Sequence, residues 1–126
     1  MNSRNLEFIR PCNRKAAKRL ADDKLYSKRV LKKNYIPVPG LIAKIRTIEE
    51  LENFDWNSLP NSFALKPNRG FGGEGIIVVY GKKKYRDDAW IKADKSLITI
   101  NDLKSHIRNI LDGTYSLANT PDIAFF

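Results

Sequence analysis

A run of glycines between two apolar segments is the part of the sequence best suited to chemistry. Phe63–Lys66 is apolar and ends in a lysine, and Ile76–Val79 is a second, β-branched run; four glycines lie between them within six residues. This pattern predicts two strands joined by a glycine-rich loop. Glycine adopts positive φ and lets backbone N–H groups approach an anion closely. The stretch therefore predicts a phosphate cradle made of Lys66, Arg69, Gly70, Gly72, Gly73 and Gly75.

Three better-known phosphate-binding motifs do not fit this stretch. Gly70, Gly72 and Gly75 match G-x-G-x-x-G, but a dinucleotide fingerprint needs a helix after the loop, whereas Ile76–Val79 favours a strand. No glycine precedes Lys-Ser or Lys-Thr, which excludes a Walker A loop. A protein kinase carries its lysine after the loop and needs H-R-D and D-F-G segments, which are absent. What remains is a hairpin lid with its lysine on the first strand, or a flexible surface hairpin.

Length and cysteine content limit the class of protein. The 126 residues fit one domain that is large enough to bury a core. No apolar stretch approaches the roughly 18 residues of a membrane span, and the N-terminus lacks the apolar core of a signal peptide. The single cysteine, Cys12, cannot form an internal disulfide and has no recognisable partner for chemistry. We therefore expect a cytoplasmic protein without a membrane segment.

The net charge of +9 is concentrated near the N-terminus. Most of the excess precedes residue 34, in Arg14, Lys15, Lys18, Arg19, Lys24, Lys28, Arg29, Lys32 and Lys33. Such a surface attracts nucleotides, acidic peptides or nucleic acid, although solvated basic helices are also common without any function beyond solubility. Tyr26 and Tyr35 are the only aromatic residues in the basic helical segment. Because stacking platforms for bases are few, we do not expect nucleic acid as the partner.

The remaining patterns predict an α+β fold, with an antiparallel sheet flanked by helices. In the first part of the chain, helices are expected over Arg14–Leu20, with Asn13 as the cap, and from a cap at Asp22 or Asp23 to about Lys33. A short helix is expected after Thr47, with Glu50 completing a capping box. The last helix is expected over about Asp102–Asp112, with Thr99 or Asn101 as the cap and Gly113 as the stop. Besides the central hairpin, strands are expected at Leu41–Ile45, Ala89–Ile91, Leu97–Ile100 and Asp122–Phe126. We expect a single incomplete lobe, in which residues 1–35 form a basic helical segment and residues 36–126 form the sheet-containing part with a glycine-rich lid at 66–76.

The C-terminal end of the sequence predicts a truncated lobe. Ile123–Phe126 is apolar, whereas the termini of natural domains are usually polar and exposed. We therefore expect a fragment of a longer protein. An unpaired strand edge there predicts self-association through this C-terminal strand.

Three segments, in this order and at this spacing, resemble the ATP-grasp superfamily: Asp22–Lys28, Ile36–Pro39 and Phe63–Pro67 with its glycine-rich loop. The nearest group is the alpha-L-glutamate ligase-like group, which is related to the sugar-transfer-associated ATP-grasp proteins. Asn5–Ile9 and Leu103–Leu111 also resemble that group, so the resemblance covers nearly the whole chain. It implies the N-terminal ATP-binding lobe of an ADP-forming carboxylate–amine ligase.

The resemblance also implies a mechanism and its residues. A substrate carboxylate is phosphorylated by ATP, and an amine acceptor displaces phosphate from the acyl-phosphate. Lys24 and Lys66 would contact the ATP phosphates, and the loop Gly70–Gly75 would close over them as a lid. The adenine-binding strand and the Mg²⁺ ligands are expected beyond Phe126, so the fragment alone is expected to be inactive.

Four further residues are expected to have structural roles, and two alternative functions remain open. Asp22, Asp23 and Glu74 are interpreted as a cap pair and a loop residue, and no metal ligand is assigned within the chain. His106 is expected to have a packing or capping role. One alternative function is a basic module that binds a polyanion or nucleic acid through the N-terminal helices. Another is a degenerate, non-catalytic half of an ATP-grasp protein.

Overall fold

The computed structural model describes residues 2–126. The chain divides into two compact units, Met1–Pro39 and Gly40–Phe126. The N-terminal unit contains a π-helical segment at Arg4–Ile9 and three α-helices, which are α1 (Arg10–Cys12), α2 (Lys15–Asp22) and α3 (Lys24–Lys33). None of the residues described in this unit is buried. None of the helices over residues 2–126 combines the length and the apolar character that crossing a membrane requires.

The two longer helices of this unit begin differently from each other. Asp23 caps α3 as expected, because its Oδ1 accepts the backbone N–H of Tyr26 at 2.8 Å. The expectation that Asn13 caps the preceding helix was wrong. The helix α2 starts at Lys15 after Arg14, and the side-chain amide of Asn13 donates instead to the carbonyl of Ile9 at 3.0 Å. The Asn13 side chain therefore closes the end of the preceding helical segment.

The second unit is built on six strands in the order β1-β6-β2-β3-β4-β5, and every neighbouring pair is antiparallel. The strands are β1 (Lys44–Ile45), β2 (Phe63–Pro67), β3 (Ile77–Lys82), β4 (Ala89–Lys92), β5 (Leu97–Thr99) and β6 (Ala124–Phe125). Two α-helices accompany them, α4 (Ile48–Glu52) and α5 (Ile100–Leu111), together with short 3-10 helices at Trp56–Ser58 and Leu117–Asn119. The predicted central hairpin is confirmed as the pair β2 and β3, the strands expected near residues 89–91 and 97–100 pair as β4 and β5, and the predicted α+β class is confirmed.

One face of the sheet carries the core. The apolar side of α5 packs on it through Leu103, Ile107, Ile110 and Leu111, with strand residues that include Phe63, Leu65, Val79 and Trp90. The Phe126 ring joins this cluster, lying 5.5 Å from the Phe54 ring and 5.4 Å from the Phe63 ring. Burial of these large side chains supplies the main driving force for folding of this unit.

Short polar signals fix the ends of the two helices. Thr47 accepts the N–H of Glu50 at the start of α4, while the Glu50 carboxylate accepts the N–H of Arg46 at 2.7 Å. Thr99 caps α5 in a complete capping box with Asp102, whereas Asn101 lies inside the helix. Gly113 follows the helix with φ of +85°, as its position predicts.

The expectation of an unpaired C-terminal strand edge was wrong. Strand β6 lies between β1 and β2, so both of its edges are paired. Pairing continues to the last residue, because the Phe126 N–H donates to Ala43 and its carbonyl accepts from Ile42, both at 2.9 Å. The edges of the sheet are β1 and β5 instead. The basis for self-association through this strand is therefore absent, and its apolar character reflects a central position.

Candidate functional site

The hairpin of β2 and β3 places Lys66 on the face of the sheet that α5 does not cover. Along β2 the residues Phe63, Leu65 and Pro67 are buried, whereas Ala64 and Lys66 are half-buried. This alternation is the two-residue period of a strand, so Lys66 lies opposite the core face. Lys66 is also the last-but-one residue of β2, directly before the loop.

A second lysine, which was not predicted from the sequence, shares this face. Lys44 of β1 and Lys66 of β2 are both register partners of Phe125, one on each side of β6. Two strand spacings separate them, which corresponds to about 10 Å. The sheet therefore presents two ammonium groups on either side of the same central strand. Only the pairing of β6 with both neighbours reveals this, and no local pattern encodes it.

The tip of the glycine-rich loop is open. Gly72 and Gly73 have φ of +62° and +80°, a region that glycine adopts without strain. A Cβ added at either position would meet no atom within 4 Å. Phe71 beside them is 63% exposed. The tip therefore has both the conformational freedom and the space that contact with a ligand requires.

The two glycines at the base of the loop have a different role, which is close packing. A Cβ at Gly70 would lie 2.3 Å from Cγ of Pro67, and one at Gly75 would lie 2.7 Å from the ring of Tyr115. Gly75 also has φ of +74°. Side chains at these two positions would therefore collide with the neighbours that hold the loop.

A chain of hydrogen bonds joins the loop to α5 and to the segment after it. The Nε2–H of His106 donates to the carbonyl of Gly75 at 2.8 Å, and the Tyr115 hydroxyl donates to His106 Nδ1 at 3.3 Å. The carbonyl of Tyr115 in turn accepts the N–H of Phe71 at 3.1 Å. The packing role expected for His106 is confirmed, and the structure adds that its target is the loop.

Asp122 anchors the other end of the loop. Its Oδ2 accepts the backbone N–H of Arg69 at 2.7 Å, and the carbonyl of the adjacent Ile123 accepts the N–H of Asn68 at 2.8 Å. The Asp122 side chain is only 7% exposed, and its Oδ1 has no hydrogen-bond partner among residues 2–126. Asp122 was predicted only as the first residue of a strand. The sequence signal for its anchoring role is a carboxylate directly before an apolar run.

The other residues predicted for the site are distributed over both units. Arg69 is exposed at the start of the loop, next to Gly70. Lys24 is the first residue of α3 and belongs to the N-terminal unit, whereas Lys66 and the glycines belong to the sheet unit. Over residues 2–126, no group of three or more His, Cys, Asp and Glu side chains could hold a metal ion. Of the residues predicted for the site, the hairpin thus brings together one lysine, one arginine and four glycines.

Comparison with known proteins identifies the fold family. The sequence matches the model of the sugar-transfer associated ATP-grasp family over residues 3–126. The chain belongs to this family. No curated protein and no solved structure gives a significant match. Membership makes the chain an ATP-binding module of the ligase type, and ATP-grasp enzymes generally use ATP together with Mg²⁺.

Proposed function

We propose that this ATP-grasp chain forms the ATP-binding part of an ADP-forming carboxylate–amine ligase of the alpha-L-glutamate ligase-like type. One observation carries the proposal: Lys66 lies on the face of the sheet opposite α5, one residue before the end of β2 and close to a loop whose base is hydrogen-bonded and whose tip is open. A phosphate chain over such a hairpin would meet an ammonium group and several backbone N–H groups together.

Each residue has a role in the proposed reaction. Lys66, Arg69 and Lys24 contact the phosphates, and the backbone amides of Gly70, Gly72, Gly73 and Gly75 close over them. In the reaction, an oxygen of the substrate carboxylate attacks the γ-phosphorus and ADP leaves. The amine acceptor then attacks the acyl carbon, and phosphate leaves with the C–O electron pair. Positioning and charge stabilisation account for most of the catalysis of such transfers, which suits a site built from cations and amides.

The anchored base and the open tip of the loop suit a lid. The hydrogen bonds from His106 and to Asp122 fix the two ends of the loop against the sheet unit. Between them, Gly72 and Gly73 change conformation at little cost, because neither has a Cβ or a packed neighbour. Closure would exclude water from the phosphates, while opening would release the product. In this proposal, Gly72 and Gly73 move while the two ends of the loop stay fixed.

The decisive test is ATP binding by the 126-residue chain and by two lysine variants, measured by calorimetry. Lys66→Ala removes a charge-assisted hydrogen bond to phosphate, which is worth about 1.5–3 kcal/mol, so affinity is expected to fall by about tenfold or more. Lys83→Ala, in the exposed turn after β3, removes the same charge at a distance from the loop and should leave affinity nearly unchanged. Equal affinities for the wild type and Lys66→Ala would refute the proposal.

Turnover separates the ligase from its non-catalytic alternative. Both would bind ATP through Lys66, but only a ligase would release phosphate when the full-length protein is supplied with ATP, a carboxylic acid and an amine. Family membership and the loop geometry support ATP binding in either case. The acid, the amine and the cytoplasmic location expected from the sequence remain predictions.

A further inference from the structure

Nearly all of the excess positive charge belongs to the N-terminal unit. Met1–Pro39 contains 11 of the 23 Lys and Arg residues but only three of the 14 acidic residues, and so carries +8 of the net +9. Of these cations, the proposed function uses only Lys24. Like charges in one small unit repel one another and destabilise it, so a bound anion would stabilise the folded unit.

Part of this charge lines a groove between α2 and α3. The groove has a volume of about 470 Å³ and is lined by Lys15, Ala16, Arg19, Asp23, Tyr26 and Arg29. Known ligand pockets have volumes of about 300–1,000 Å³, so a small organic phosphate would fit. All six residues belong to the N-terminal unit. The groove is therefore a feature of this unit and not of the glycine-rich loop.

Hydrogen bonds at the corner between the helices define the shape of the groove. Asp23 is the one residue between α2 and α3, and its Oδ1 accepts the N–H of Tyr26 at 2.8 Å. The Ser27 hydroxyl also donates to the carbonyl of Leu20, across the same corner. The Ser27–Leu20 bond thus joins α3 to α2, and the Asp23 cap fixes where α3 begins. The cations of α2 and of α3 face one space because of this corner.

The chemistry of the lining selects an anion with several oxygens. Over residues 2–126, Lys15, Arg19 and Arg29 form no ion pair with an acidic side chain, and Asp23 is the one carboxylate in the lining. The Arg29 guanidinium lies over the Tyr26 ring, with Cζ 5.7 Å from the ring centroid, which limits its motion. Two guanidinium groups and one ammonium group match the several oxygens of a phosphate better than a single carboxylate.

We propose that the groove between α2 and α3 binds a phosphate or pyrophosphate group through residues that the proposed ATP site does not use. Arg19 and Arg29 supply planar donors from opposite helices, and Lys15 supplies a point charge at the start of α2. A soluble phosphate ester and a phospholipid headgroup present the same chemistry to these donors. The site would give the chain a second anionic ligand besides ATP.

The test is a calorimetric titration of the 126-residue chain with inorganic pyrophosphate. The double variant Lys15→Ala, Arg19→Ala removes two groove cations, and its affinity should fall by about tenfold or more. The matched control is Lys32→Ala, Lys33→Ala, which removes the same charge from the far end of α3 and should change affinity by less than about twofold. Arg29→Gln tests the opposite wall and should also weaken binding. Helical circular dichroism verifies folding, which alanine favours.

Three results would overturn the proposal. The first is that the wild type does not bind pyrophosphate. The second is that the two double variants lose the same affinity for pyrophosphate. The third is that Lys66→Ala abolishes pyrophosphate binding, which would assign the anion to the loop. Vesicles of phosphatidylcholine with and without phosphatidylglycerol identify the source of the phosphate. Binding that needs both the anionic lipid and the groove cations indicates a headgroup, whereas pyrophosphate binding without vesicle binding indicates a soluble ester.

Discussion

At the scale of single residues, the four glycines of the loop divide into two kinds. Gly72 and Gly73 lie at an open tip, where glycine lets the backbone change conformation near a ligand. Gly70 lies against Pro67 and Gly75 lies against the Tyr115 ring, and both positions need glycine because a side chain would collide with these neighbours. A substitution at the tip should therefore affect function more than stability, while one at the base should affect stability first.

Comparing Gly75→Ala with Gly72→Ala tests this division. Both positions have positive φ, so both variants carry the same kind of backbone strain. Only the Cβ at position 75 would meet a neighbour, at 2.7 Å from the Tyr115 ring. Overpacking of this kind costs about 1–3 kcal/mol, so Gly75→Ala should lose that much more unfolding free energy than Gly72→Ala in urea denaturation. Equal losses in the two variants would show that the contact with Tyr115 does not constrain the loop.

At the scale of elements, local sequence signals predicted most of what the structure contains. The central hairpin, the Asp23 and Thr99 caps and the Gly113 stop are encoded within a few residues of where they act. The anchors of the loop are not encoded locally. His106 is 31 residues from Gly75, and Asp122 is 53 residues from Arg69, so only the folded sheet brings them together. The same reason explains the missed position of β6, whose neighbours are β1 and β2.

The turn between β4 and β5 gives a pH-dependent prediction. Asp94 accepts hydrogen bonds from the N–H and hydroxyl of Ser96, which lower its pKa from 3.8 to about 2, with a smaller contribution from Lys92. A lowered pKa in the folded state means that the carboxylate stabilises the turn above about pH 3.8, and that this contribution is lost as the pH falls towards 2.

The variant Asp94→Asn should therefore be less stable than the wild type at neutral pH, and the difference should shrink between pH 3.8 and 2. Urea denaturation across a pH series measures it, with Asp87→Asn in the preceding exposed turn as the matched control. A stability difference that stays constant down to pH 2 would contradict the assignment of the lowered pKa to this turn.

At the scale of the whole molecule, the two units differ in what stabilises them. The sheet unit buries a continuous apolar cluster from α5 and the strands. The N-terminal unit has no buried residue among those described and carries +8 of the net charge. Asp23 caps α3 and the Ser27 hydroxyl bonds α3 to α2, while repulsion among the cations opposes folding of this unit. We therefore expect the unit that carries the proposed second anion site to be the less stable of the two.

This difference should be visible in amide hydrogen exchange. Amides of α5 and the central strands open only with the apolar core, so they should exchange slowly, whereas those of α2 and α3 should exchange faster at the same pH. Added sodium chloride screens repulsion among the N-terminal cations and should slow exchange in α2 and α3 while leaving α5 nearly unchanged. Pyrophosphate should do the same at lower concentration, because it would bind between Arg19 and Arg29 instead of only screening them. Equal protection in both units, or a salt effect confined to α5, would contradict this account of how the charge acts.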